Sequence, residues 1–137
     1  MRAVLDTNVL VYDTFEDSIY HDEARRLLDS LDAWVIPLIV LYEYVWLMRG
    51  LGVDVADVAE KVWEYAWDHK SRVISGGREA VKWALAILRE EGRPLSRFND
   101  KVVLAVAQSE RIPLASFDER LRGQARRLGL RVLPELL

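Results

Sequence analysis

No cysteine occurs among the 137 residues. That excludes a disulfide framework and any thiolate metal site. Only two histidines are present, His21 and His69, each in a charged stretch. This leaves too few nitrogen and sulfur ligands for a zinc centre. Asparagine and glutamine are scarce, at Asn8, Asn99, Gln108 and Gln124, a bias found in heat-stable proteins. Long apolar runs are missing too. The longest, residues 33–48, is broken by Pro37 and carries Glu43, so it is too short and too interrupted to span a bilayer. The opening "MRAVLD" enters a strand pattern at once. The expected location is therefore the cytoplasm, with no leader to remove.

What is present fits a soluble globular protein. Apolar residues make up 51% and charged residues 30%. The length predicts a single domain over 1–137 with a real core. A net charge of −3 gives no global attraction for a polyanion, but the charge is unevenly spread. Residues 1–96 hold 11 Lys/Arg against 17 Asp/Glu, and residues 97–137 hold 8 against 5. The basic excess lies mostly in "RLRGQARRLGLR", residues 120–131. It reads either as a solvated helix face or as a nucleic-acid contact.

Strand and helix patterns alternate along the chain. "RAVLD" predicts a strand, "HDEARRLLDSLD" a helix with early acids, and "AWVIP" a second strand. Pro37 opens a helix, "PLIVLYEYVWLMRGLG", that stops at Gly50 and Gly52. Asp54 N-caps a further helix over 54–70, and "RVIS" is a short strand. A helix over 77–92 closes at Gly92. Then follow a helix at "RFNDKVVLAVAQSE", a strand at "IPLAS", a helix at "DERLRGQARRLG" and a last strand at "RVLP". The pattern predicts a three-layer α/β/α sandwich around a mostly parallel sheet of four to five strands.

Four acids stand out against this frame. Asp6 ends the first strand, and Asp118 lies just beyond "IPLAS". In open parallel sheets ligand sites form beyond the carboxyl ends of strands, so both fall on one edge, although each also suits a helix cap. Glu43 is embedded in a helix apolar on every side, which is the pattern of a buried helix. A buried carboxylate must be neutralised, paired or bound to a cation, and Arg49 is a candidate partner. Asp100 falls in the first turn of its helix, where the dipole favours an anion. It shares a side with Leu104 and Ala107, while Asn99 points elsewhere. Carboxylates brought together raise each other's pKa. A hard divalent cation such as Mg²⁺ or Mn²⁺ relieves that conflict.

Together "VLDTNVL", the Glu inside the helix after strand two, "NDKVVLAVAQ" and "IPLASFDERL" resemble the PIN domain family, and within it the VapC-type toxin ribonucleases. The likeness spans nearly the whole chain and rests on the order and spacing of the four motifs. It implies a metal-dependent ribonuclease, the toxin of a type II toxin–antitoxin pair. It also implies homodimers, an antitoxin protein that silences the enzyme, and products with 5′-phosphate and 3′-hydroxyl ends. The family's acidic set maps onto Asp6, Glu43, Asp100 and Asp118 as catalytic and metal-holding residues. Asn8 and Ser116 then orient the site. Ser116 stands where relatives often carry Thr. Leu38, Ile39 and Val40 depart from the Ser or Thr common before the Glu. Glu119 is an alternative to Asp118. On this reading Asp6 is a metal ligand, and Thr7 and Asn8 share the helix cap.

Arg93, Arg97 and Lys101 flank Asp100, and either bind substrate phosphates or pair with Glu90 and Glu91. Tyr42, Trp46, Trp63, Tyr65 and Trp67 are expected mostly in the core, with some at a dimer surface or antitoxin groove. A receiver-type phosphoryl acceptor fits poorly, because Asp6 stands alone and "PLASF" has no Lys. A catalytically silent PIN-fold module that binds RNA or protein is the alternative from another class.

Overall fold

The computed structural model describes residues 1–137. The chain begins with strand β1 (Arg2–Leu5), followed by helices α1 (Thr7–Thr14) and α2 (His21–Ser30) and strand β2 (Ala33–Pro37). Helices α3 (Leu38–Gly50) and α4 (Val55–Trp67) lead to strand β3 (Ser71–Ile74) and helix α5 (Gly77–Glu91). A 3₁₀ turn at Leu95–Arg97 runs into helix α6 (Phe98–Glu110). Strand β4 (Leu114–Ala115), helix α7 (Glu119–Arg127) and strand β5 (Val132–Leu133) complete the chain. Except for α1, every element follows the sequence pattern. The apolar residues of α1 keep to no one face, and its buried set includes Asp13, so periodicity does not reveal it.

The sheet has five strands in the order β3-β2-β1-β4-β5, and every pairing is parallel. In β1, Ala3, Val4 and Leu5 are all fully buried. Successive strand residues face opposite sides, so both faces of the sheet are covered. This is the three-layer arrangement expected of a parallel sheet. The chain first builds outward from β1 through β2 to β3, then returns to add β4 and β5 on the other side. Adjacent β1 and β4 therefore flank a topological switch point, where a crevice opens beyond the strand ends.

Two local features fix the helices. Asp54 caps α4 by accepting from the Asp57 N–H at 2.9 Å. Ala80, Ala84, Val102 and Ala105 form a small-residue seam between α5 and α6. At Gly76, before α5, φ is +75°, and a Cβ would stand 2.8 Å from Ala80 Cβ and 2.9 Å from Val106 Cγ2. Only glycine supplies both that conformation and that closeness.

The sequence expectation for α3 fails on one side. Val40, Leu41, Tyr44 and Met48 are buried, but Tyr42, Val45, Trp46 and Leu47 are exposed. Of the five aromatic residues expected mostly in the core, only Tyr65 is inside; Trp63 and Trp67 of α4 are exposed as well. An apolar groove lined by Leu38, Tyr42, Val45 and Trp67 crosses this face. The reason is geometric: α3 rests on the sheet and α6 with one side, and the chain has no further layer to cover the other.

Candidate active site

Asp6 leaves β1 at the switch point and is 4% exposed. Its Oδ1 accepts from the Thr7 N–H at 2.8 Å, so Asp6 itself caps α1. This corrects the expectation that Thr7 and Asn8 share the cap. Neither does so: the Thr7 hydroxyl is buried without a partner, and the Asn8 side chain bonds across to β4. Asp6 Oδ2 accepts from the Ser116 hydroxyl at 2.7 Å and from Asn8 Nδ2 at 3.1 Å. Asn8 Oδ1 in turn accepts from the Phe117 N–H at 3.0 Å. Ser116 is fully buried and also accepts from the Asp118 N–H at 3.1 Å. Asn8 and Ser116 therefore lock the end of β1 to the end of β4.

Asp118 Oδ1 caps α7, accepting from the Arg120 and Leu121 N–H groups at 2.9 and 3.1 Å. Its carboxylate also repels that of Asp100 and raises the Asp100 pKa. Glu119 is exposed. Glu43, half-buried on α3, accepts from Asn99 Nδ2 at 2.8 Å. Asn99 thus faces the site, contrary to the expectation from helical spacing. Arg49 does not pair with Glu43 but stacks over the Trp46 ring at 4.6 Å.

The electrostatics tie the four acids together. Burial pushes the Asp6 carboxyl up to about 7, and repulsion from Asp100 and Glu43 adds to it. The Ser116 hydroxyl and the Thr7 N–H pull the other way. Burial likewise pushes Asp100 up to about 6, reinforced by Asp118 and Glu43 and opposed by Arg97 and Lys101. None of Asp6, Glu43, Asp100 and Asp118 forms an ion pair, although eight Lys, Arg or N-terminal ion pairs exist elsewhere. Like charges have been gathered with no direct ion pair, and Arg97 and Lys101 offset them only in part. The donors are hard oxygens, the set preferred by Mg²⁺ and Mn²⁺. No three of them stand close enough to grip one ion by themselves. An ion here would be held by one or two of the carboxylates and would keep several waters.

Lys101 is not available to a substrate. It is buried, its Nζ lies 2.8 Å from Glu91 Oε1, and it donates to Gln124 Oε1. Arg93 and Arg97 have no acidic partner and line a pocket that reaches Asp100.

Solved structures share this fold. VapC20 of Mycobacterium tuberculosis, described as a sarcin–ricin loop cleaving toxin, superposes with a TM-score of 0.76 at 22% identity. The match covers 89% of this chain and 94% of that one. A VapBC2 structure from Rickettsia felis, bound to a DNA fragment from its promoter, gives 0.68 at 19% identity, covering 96% and 97%. VapBC-1 of nontypeable Haemophilus influenzae gives 0.64 at 19% identity, covering 96% of each chain. No curated protein matches the sequence. The family model described as the PIN domain matches residues 3–127, and with that span the chain belongs to the PIN domain family.

Proposed function

We propose that residues 1–137 act as one PIN-like domain, a cytoplasmic metal-dependent ribonuclease that is the toxin of a type II toxin–antitoxin pair. One observation carries the reading: four carboxylates from separate elements converge at the switch point and repel one another with no ion pair among them. Membership of the PIN family and the likeness to VapC and VapBC structures support the same conclusion. No helix is long and apolar enough to cross a membrane.

In this mechanism Asp6 and Asp100 would hold a divalent cation, Mg²⁺ or Mn²⁺, and Asp118 would reach it through water. When bound, the cation supplies positive charge against the phosphoryl oxygens and lowers the pKa of water. Asn8 and Ser116 keep Asp6 in one rotamer, so the site is organised before substrate arrives. Glu43, held by Asn99, orients the attacking water and accepts its proton. Arg97 contacts a phosphate beside the scissile bond. The partners are an RNA substrate, a second copy of the chain and an antitoxin. The uncovered apolar face of α3 and α4 supports protein partners, because such patches mark interaction sites.

The test is incubation of single-stranded RNA with the protein in Mn²⁺ or in EDTA. Wild type should cut only with metal, and Asp6→Asn should not cut at all. Binding without cutting by both proteins would instead favour the silent module.

A further inference from the structure

A pocket of about 290 Å³ that includes Asp100 lies between the end of α5, the 3₁₀ turn, α6 and α7. Its rim carries Arg93, Arg97, Arg120 and Arg127. Arg120 and Arg127 are seven residues apart on α7, which puts them two turns apart on one face. None of the four has an ion pair, whereas two other basic residues near α7 are engaged elsewhere. Arg131 pairs with Glu135. Arg122 is buried and donates to the Ser116 carbonyl at 3.0 Å.

The floor of the pocket is electrically closed. Lys101 Nζ donates to Glu91 Oε1 and to Gln124 Oε1, and Gln124 Nε2 donates to Glu91 Oε2 at 2.8 Å. This three-residue ring ties α5, α6 and α7 together and cancels its own charge. Four arginines without an ion pair remain among the lining residues, with Asp100 as the one acid outside the ring. Guanidiniums converging from three chain segments on one concavity are suited to phosphate oxygens, which they bind in bidentate fashion.

We propose that this four-arginine pocket is a phosphate subsite that grips the RNA strand on the α5–α7 side of the acidic cluster. The ligand class rests on the ribonuclease reading. Arg120 and Arg127 act on binding, whereas Arg97, which opposes the raised Asp100 pKa, belongs to the reacting centre.

The experiment measures binding of a short labelled oligouridine to the full chain in EDTA across a salt series, so that no cleavage is required. Arg120→Ala with Arg127→Ala should weaken binding on the order of tenfold or more. It should flatten the plot of log K against log salt by about 1.4, the value for two lost contacts to a single strand. Arg26→Ala, at a distant exposed position, serves as the control. With Mn²⁺ present, the double variant should raise KM and keep kcat. Unchanged affinity and slope overturn the subsite even if wild type cuts RNA. So does an acidic peptide that needs both arginines while RNA does not. An arginine-dependent slope in a protein that never cuts sustains the subsite and overturns the nuclease reading instead.

Discussion

The Ser116 hydroxyl donates to Asp6 Oδ2 at 2.7 Å, joining residues 110 positions apart across the β1–β4 crevice. Ser116 also pulls the Asp6 pKa down against the effect of burial. Ser116→Ala should therefore raise that pKa further above about 7 and loosen the carboxylate. Losing such an orienting bond costs about 10–100-fold in metal affinity or activity. The measurement is cleavage rate against Mn²⁺ concentration at several pH values. An unchanged metal requirement at each pH would refute the orienting role.

Asn99 offers a second check, on Glu43. A hydrogen bond to a charged group is worth about 1.5–3 kcal/mol, and this one is only partly buried. Asn99→Ala should slow cleavage on the order of tenfold or more while leaving the denaturation midpoint nearly unchanged. A variant that loses stability and activity together would mark the contact as merely structural.

Much of this site is legible in sequence, and the exceptions are instructive. Asp6 and Asp118 follow strands, and a parallel sheet puts both strand ends on one edge whatever its side chains do. Asp100 is legible because its helix faces the sheet through Leu104 and Ala107. Asn99 is not, because helical spacing places it about 100° around α6 from Asp100. The site meets α6 at its first turn, where two successive residues can both reach it. The exposed aromatics mislead for another reason. An all-apolar helix signals burial, but sequence does not say whether the covering layer belongs to the same chain.

Protonation should control the stability of the metal-free protein. Asp6 has a folded pKa of about 7 against 3.8 when unfolded, so the folded state holds the proton more tightly. Stability from this group is complete below about pH 4 and is lost as pH rises through 7. A difference of about 3 units corresponds to about 4 kcal/mol at most. Asp100, raised to about 6, adds to the trend in the same direction. Urea denaturation in EDTA should give a lower midpoint at pH 8 than at pH 5, and Asp6→Asn should flatten that slope. Mg²⁺ should stabilise the protein more at pH 8, where no proton must be displaced. A midpoint that rises with pH would contradict the assigned shifts.

A buried network away from the site makes a contrasting prediction. The Tyr65 hydroxyl donates to Asp13 Oδ2 at 2.6 Å, and Arg25 lies 2.8 Å from Asp13 Oδ1. Thr14 links Tyr44 and Tyr65 at 2.8 and 3.1 Å. The network joins α1, α2, α3 and α4 and touches none of the four site acids. Tyr65→Phe leaves a buried carboxylate oxygen short of a donor, which costs about 1–3 kcal/mol. Urea denaturation should register that loss, while cleavage at a temperature where both proteins stay folded should match wild type.

The uncovered face of α3 and α4 yields the last prediction. Trp67 is 77% exposed and Trp46 is 67% exposed, beside Tyr42 and Val45. Exposed tryptophans at this density are costly for a monomer and are the residues that dominate interface energetics. Sedimentation velocity should therefore find the chain alone as a dimer. Val45→Asp sets a charge in the middle of the face without touching the buried side of α3. It should yield a folded monomer with a wild-type circular dichroism spectrum. A wild-type chain that sediments as a monomer at all concentrations would leave the face to the antitoxin and remove the dimer from this account.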